Sequence, residues 1–135
     1  MEKLEYFEIV DDRGEFRPAG EITLEAAGAL VTRSIKHARG LKLRKLLVVL
    51  TGLTGFNPPS LGGRYFLIQE WARAAGGSVS MAGVLRPELI DPQEFGATVA
   101  RNMGVKFRPF STEAQALQWL ESLPGEESPP ITAAK

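Results

Sequence analysis

Leu46-Leu47-Val48-Val49-Leu50, followed at once by Thr51 to Arg64, reads LLVVLTGLTGFNPPSLGGR. The first five residues are continuously apolar rather than alternating, which is the pattern of a strand covered on both faces. The next fourteen concentrate glycine, proline and hydroxyl side chains before an apolar helical pattern resumes. A buried strand running through such a junction into a helix is the core of a parallel α/β unit. The junction is either a hard turn or a piece of backbone shaped to meet something.

The neighbouring segments extend that unit in both directions. Towards the N-terminus, Leu24, Ala27, Val31, Ile35 and Ala38 recur at helical spacing. Thr23 is placed to cap that helix and Gly40 to end it. Before it, Glu5 to Val10 and Glu15 to Arg17 flank the turn signal Asp11-Asp12-Arg13-Gly14, an opening hairpin whose second arm Pro18 keeps short. Towards the C-terminus, Leu61, Tyr65, Ile68, Trp71, Ala72 and Ala75 trace a second helical face closed by Gly76-Gly77. Val79 to Leu85 is a further strand. Asp91, Pro92 and Glu94 form a capping-box-like start to a helix running to about Met103. Val105 to Phe110 is the last strand and Thr112 to Leu123 the last helix, with Leu117 and Leu120 facing inward. These elements predict an α/β domain over residues 1–123. Its mixed, mostly parallel sheet has about five strands, an opening hairpin and four helices. The polar, proline-rich residues 124–135 are expected to be a disordered tail.

A chain of 135 residues can bury a sizeable core in one domain. It has no cysteine, so neither disulfide nor thiolate chemistry is available, which fits a cytoplasmic protein. Its single histidine argues against a transition-metal site. No apolar run approaches the ~20 residues of a transmembrane helix, and the acidic N-terminus does not read as a secretory signal. The formal charge is zero, but it is segregated: acids dominate residues 1–25. From Ala26 to Gln69 there is none, whereas Arg33, Lys36, Arg39, Lys42, Arg44, Lys45 and Arg64 are basic. That predicts a basic patch, either a complement to a helix C-terminus or a binding surface. No aromatics interleave with the basic run from Arg33 to Lys45, so it carries no strong nucleic-acid signal.

Four segments also carry a family resemblance: RKLLVVLTGLTGF (Arg44 to Phe56), RYFLIQEWA (Arg64 to Ala72), FGATVARNMG (Phe95 to Gly104) and FSTEAQALQWL (Phe110 to Leu120). With the opening hairpin and the serine-bearing junction, the chain resembles a STAS domain from about Tyr6 to Leu120. That fold is shared by sulfate-transporter C-terminal domains and anti-anti-sigma factors. It is most similar to the uncharacterised bacterial STAS-like branch. In anti-anti-sigma members a kinase phosphorylates a serine at the start of the helix after the central strand. Ser60 stands near that position, while Pro58 and Pro59 occupy the places of the family's Asp-Ser pair. The resemblance implies a bacterial regulatory module acting through protein contact.

Candidate site residues fall in the junction and its surroundings. Ser60 is the switch or contact residue, and Phe66 with Leu67 forms the candidate sticky patch for a protein partner or a homodimer. Thr54, Asn57, Ser60, Gly62, Gly63, Arg64 and Arg86 could form an anion-binding recess, since ligands of open α/β sheets gather at strand C-termini. The competing reading is a well-capped turn, with Pro58 or Pro59 in the first turn of the helix and Ser60 supplying a side-chain acceptor to it. Neither GxGxxG nor GxxxxGK[ST] spacing is present, and no acid stands by to hold magnesium. His37 has no carboxylate beside it, and no nucleophile is matched with a base. The expectation is a non-enzymatic interaction module with no cofactor, metal site or catalytic residue. The alternative is a carrier for a small molecule, lipid or anion, because lipid-transfer domains have a related α/β organisation.

Overall fold

The computed structural model describes residues 4–90, 101–102, 104 and 106–123. In chain order the elements are β1 (Phe7–Val10), β2 (Arg13–Phe16), β3 (Gly20–Glu21), α1 (Leu24–Gly40), β4 (Lys45–Val49) and β5 (Leu53–Thr54). There follow α2 (Leu61–Ala75), β6 (Ser80–Val84), a 3-10 turn (Pro87–Leu89), β7 (Phe107–Phe110) and α3 (Glu113–Ser122). The main sheet has five strands in the order β1-β2-β4-β6-β7, antiparallel only at the β1–β2 hairpin. Three α-helices are described where four are expected. The expected helix from Asp91 to about Met103 lies almost wholly outside the described residues.

The continuous apolar run behaves as its pattern requires. Leu46 and Val48 point into one layer with Phe16, Val31, Ile35, Ile68, Met81 and Phe107. Leu47 and Val49 point into the other with Ala82, Val84, Ala116 and Leu120. Both crossovers, β2-α1-β4 and β4-α2-β6, step the same way along the sheet, so the right-handed rule puts α1 and α2 on one face. There Trp71 Nε1 donates to the Gly28 carbonyl at 3.3 Å. α3 covers the opposite face, with Trp119 set against Phe110 at a centroid distance of 5.9 Å. Each fully buried leucine of this double core is worth about 1.5–3 kcal/mol over its exposed state.

Several boundaries differ from the expected ones. The hairpin turn is only Asp11-Asp12, with Val10 opposite Arg13. Gly14 is therefore a strand residue facing Ile9, not part of the turn. A Cβ there would lie 2.6 Å from the Phe7 ring, so its bare backbone makes room for that ring. Phe7 in turn meets His37 edge-on at 4.7 Å, which leaves His37 half-buried rather than on the open surface. Gly40 is the last residue of α1, not its left-handed cap; that conformation falls on Lys42, with φ +65°. Gly76 caps α2 in the left-handed region as predicted.

Candidate functional site

The junction is tied down at both ends. Leu53–Thr54 pairs in parallel with Gly20–Glu21, a two-stranded ribbon that the sequence pattern does not announce. Gly20 N donates to Gly52 O at 3.0 Å and Ile22 N to Thr54 O at 2.8 Å. A Cβ on Gly55, at φ +98°, would meet Glu21 Cγ at 2.8 Å and Ile22 O at 2.9 Å. The glycine of this stretch therefore serves close passage of one chain segment over another.

Ser60 is the N-cap of α2. Its Oγ accepts from Gly63 N at 3.1 Å, and its backbone is extended at φ −65°, ψ 170°. Both prolines precede the cap, so neither occupies the first helical turn as expected. The Pro58-Pro59 pair instead fixes an extended approach to the helix. Gly63, one of the two amides expected to face an anion, is already bonded to the cap. Gly62 is exposed, with nothing within 4 Å of a Cβ built on it.

Arg64 projects from the first turn of α2, where its Nη1 donates to Leu89 O at 3.0 Å. Leu89 N donates to Arg86 O at 2.9 Å, so both arginines engage the 3-10 turn after β6. The side chain of Arg86 sits 3.8 Å from Glu88 through Nε, which is buried and lacks a hydrogen bond among the described residues. Thr54 and Asn57 are exposed. Among the described residues no hydrogen bond joins Thr54, Asn57 or Gly62 to Arg64 or Arg86. The expected recess is thus two local groupings, the Ser60–Gly63 cap and the Arg64–Leu89–Arg86 link.

The aromatic patch shifts by one residue. Phe66 is 60% exposed and Tyr65 44%, so Tyr65 leaves the core-facing stripe to which its spacing assigned it. Leu67 turns inward against α1, where a Cβ on Gly28 would lie 2.6 Å from its Cδ2. The exposed pair is Tyr65–Phe66, directly after the capped turn.

Beneath α1 and α2 lies an apolar cavity of about 150 Å³. Val31, Leu67, Ile68 and Trp71 wall it from the helices, and Met81 and Phe107 from the sheet. Arg64 and Pro59 reach it from the junction. Ile90 and Phe107, which both line it, flank the stretch containing residues 91–100 that lies outside the described structure.

A charged cluster on the α3 face escaped the sequence reading. Glu15 is 5% exposed in β2, with Arg13 Nε at 2.8 Å and Arg17 Nη2 at 2.8 Å. Arg17 Nη1 continues to Glu113 at 2.6 Å. Burial pushes the Glu15 carboxyl up, but hydrogen bonds and charge from Arg17 and Arg13 outweigh it and hold it below the usual carboxylate value. Alternating charges on a hairpin arm would have been the only sequence signal. Among the described residues no group of histidine and carboxylate side chains could hold a metal ion. No described helix is long and apolar enough to cross a membrane.

The sequence matches no protein-family model and no curated protein. Solved structures similar to this chain include SpoIIAA, described as an anti-sigma factor antagonist in its unphosphorylated form. It is 14% identical, over 87% of this chain and 97% of that one, with a TM-score of 0.48. Another is an uncharacterised Shewanella loihica protein of the DUF3478 family with a SpoIIAA-like fold. It is 23% identical, over 84% and 90% of the two chains, at TM-score 0.48. The Thermotoga maritima protein TM1081 is 17% identical over 91% and 93%, at TM-score 0.47.

Proposed function

We propose that the chain is a non-enzymatic, STAS-like regulatory module that binds a protein partner through the first turns of α2. The observation that carries this is the outward pair Tyr65–Phe66. Large aromatics held on a rigid helix are favoured contact anchors, since they bury much area at little entropic cost. The surrounding turn is well fixed, by the Ser60 cap and by Arg64 bonded to Leu89. Such pre-organisation reduces the entropy lost on association. The sequence resemblance adds that a regulatory contact is the expected use of this end of the fold. The partner is a second protein or a second copy of the chain. The experiment is a comparison of wild type with Phe66→Asp, in extract capture from the native host and in sedimentation velocity. Loss of a captured protein, or of a dimer, with the variant supports the reading; identical behaviour of the two rejects it.

The cavity favours a second reading, a small apolar ligand held between α2 and the sheet. Drug-sized ligands occupy roughly 300–1,000 Å³, well above the volume here, so the fit is to a ligand of benzene size rather than a lipid. A change in Trp71 fluorescence on titrating benzene, absent in Ile68→Trp, tests it. An anion at the junction is the remaining variant, resting on Arg64 and on the Gly62 amide, which bonds no backbone carbonyl outside α2 among the described residues. Phosphate titration should then move the amide signal of Gly62, and Arg64→Ala should abolish the shift.

A further inference from the structure

At the opposite end of the domain, the parallel strands begin among cations. Arg44 precedes β4 and Lys106 precedes β7. Arg44 O accepts from Ser80 N at 2.8 Å and Lys106 O from Met81 N at 2.9 Å, which fixes both at the same edge of the sheet. They stand two strands apart, or about 10 Å. Lys42 projects from the loop between α1 and β4, and Lys36 and Arg33 follow back along the exposed side of α1. All five are exposed, and none of them forms a salt bridge among the described residues. Acids also stand at this end: Asp11 and Asp12 at the hairpin turn, where Asp11 lies 4.0 Å from Arg13, and Glu121 in the last turn of α3.

Helix-dipole complementation does not account for this set. His37 and Arg39 occupy the last turn of α1 and meet that need. Lys42, Arg44 and Lys106 lie outside the helix altogether. Lys42 is the more informative case. Its N–H bonds Arg39 O at 3.0 Å and Leu43 N–H bonds Ala38 O at 2.9 Å, a helix-ending motif whose left-handed position normally takes glycine. Here a lysine holds φ +65°. A side chain kept at a strained position, where glycine would be more stable, points to a use for its charge.

From this we infer that the strand-start end of the domain is an electrostatic docking face for an anionic phospholipid bilayer. The cations are spread over strand starts, a loop and a helix flank, as suits a flat array of headgroups. No helix or ribbon is presented for a nucleic-acid groove. The exposed aromatics that a single strand would stack on, Tyr6, Tyr65 and Phe66, sit at the other end of the sheet. Each lysine or arginine near an anionic surface strengthens binding about fivefold. The geometry leaves the first turns of α2 and their aromatic pair at the end away from the bilayer, open to a protein.

The test is co-sedimentation of the full chain with phosphatidylcholine vesicles, with and without phosphatidylglycerol, at low and high salt. Binding is expected only to the phosphatidylglycerol vesicles and should be lost at high salt. Lys42→Gly should weaken it about fivefold while leaving the melting temperature unchanged or higher. The triple variant Lys42→Gly/Arg44→Gln/Lys106→Gln should weaken it about a hundredfold. Failure to bind anionic vesicles at low salt, or equal binding by wild type and the triple variant, overturns the inference. Stronger binding to a duplex oligonucleotide than to vesicles of equal charge concentration also overturns it, in favour of nucleic acid.

Discussion

Arg17 and Glu113 are joined by a 2.6 Å hydrogen bond from Nη1 to Oε2, while Nη2 of the same guanidinium holds the buried Glu15 at 2.8 Å. One side chain thus links the second strand of the hairpin to the first turn of α3. Arg17→Gln should destabilise the domain by about 1–2 kcal/mol in urea unfolding. That is less than the ~3–5 kcal/mol of a wholly buried pair, because Arg17 is 40% exposed and solvent screens it. Glu113→Gln, which leaves Glu15 paired, should cost under about 1 kcal/mol.

The same cluster sets an acid limit. The Glu15 carboxyl is held below its ordinary value of 4.5, so the folded state binds this proton less readily than the unfolded chain. Its stabilisation is complete above that ordinary value and is lost as pH falls through the lowered one. Melting temperature should therefore drop below about pH 4.5 in wild type. In Glu15→Gln that drop should be shallower, from a lower starting point. A parallel acid slope in both proteins would remove Glu15 as its source.

Ser60 separates stability from charge. Ser60→Ala removes the bond to Gly63 N and should cost about 0.5–2 kcal/mol. Ser60→Asp caps equally well and should leave stability close to wild type. A change in partner binding or oligomeric state with Ser60→Asp, well beyond that with Ser60→Ala, then reads the added negative charge alone. Equal behaviour of the two variants argues against a switch at Ser60.

Gly14 lies beneath the Phe7 ring. Gly14→Ala should destabilise by about 1–3 kcal/mol through overpacking, and Phe7→Leu in the same chain should recover part of that. A double-mutant cycle by chemical denaturation measures the coupling. Additive effects would mean that Phe7 does not rest on Gly14.

The layered core was legible because its signals are periodic. The unbroken Leu46–Leu50 run and the 3.6-residue spacing from Leu24 to Ala38 each have one packing solution in an α/β sheet. The caps at Thr23, Ser60 and Thr112 follow from local chemistry, although only the first two were expected as caps. What stayed hidden depends on contacts distant in the chain. The β3–β5 ribbon joins Gly20 to Leu53, and the Arg17–Glu113 link joins opposite ends of the sequence. Tyr65 fits the apolar stripe by spacing but faces outward, while Leu67, off that stripe, turns inward against Gly28. A periodicity argument assigns a face to a helix and cannot resolve which of two neighbouring large side chains the facing glycine admits.

The most direct test of the protein-contact role replaces Phe66 with a photo-crosslinking phenylalanine analogue, with Gln118 on the exposed side of α3 as the control position. Irradiation in cells of the native host should yield a discrete adduct, of a partner or of the chain with itself, from position 66 and none from position 118. No adduct at position 66, or the same adducts from both positions, would contradict a binding surface on α2.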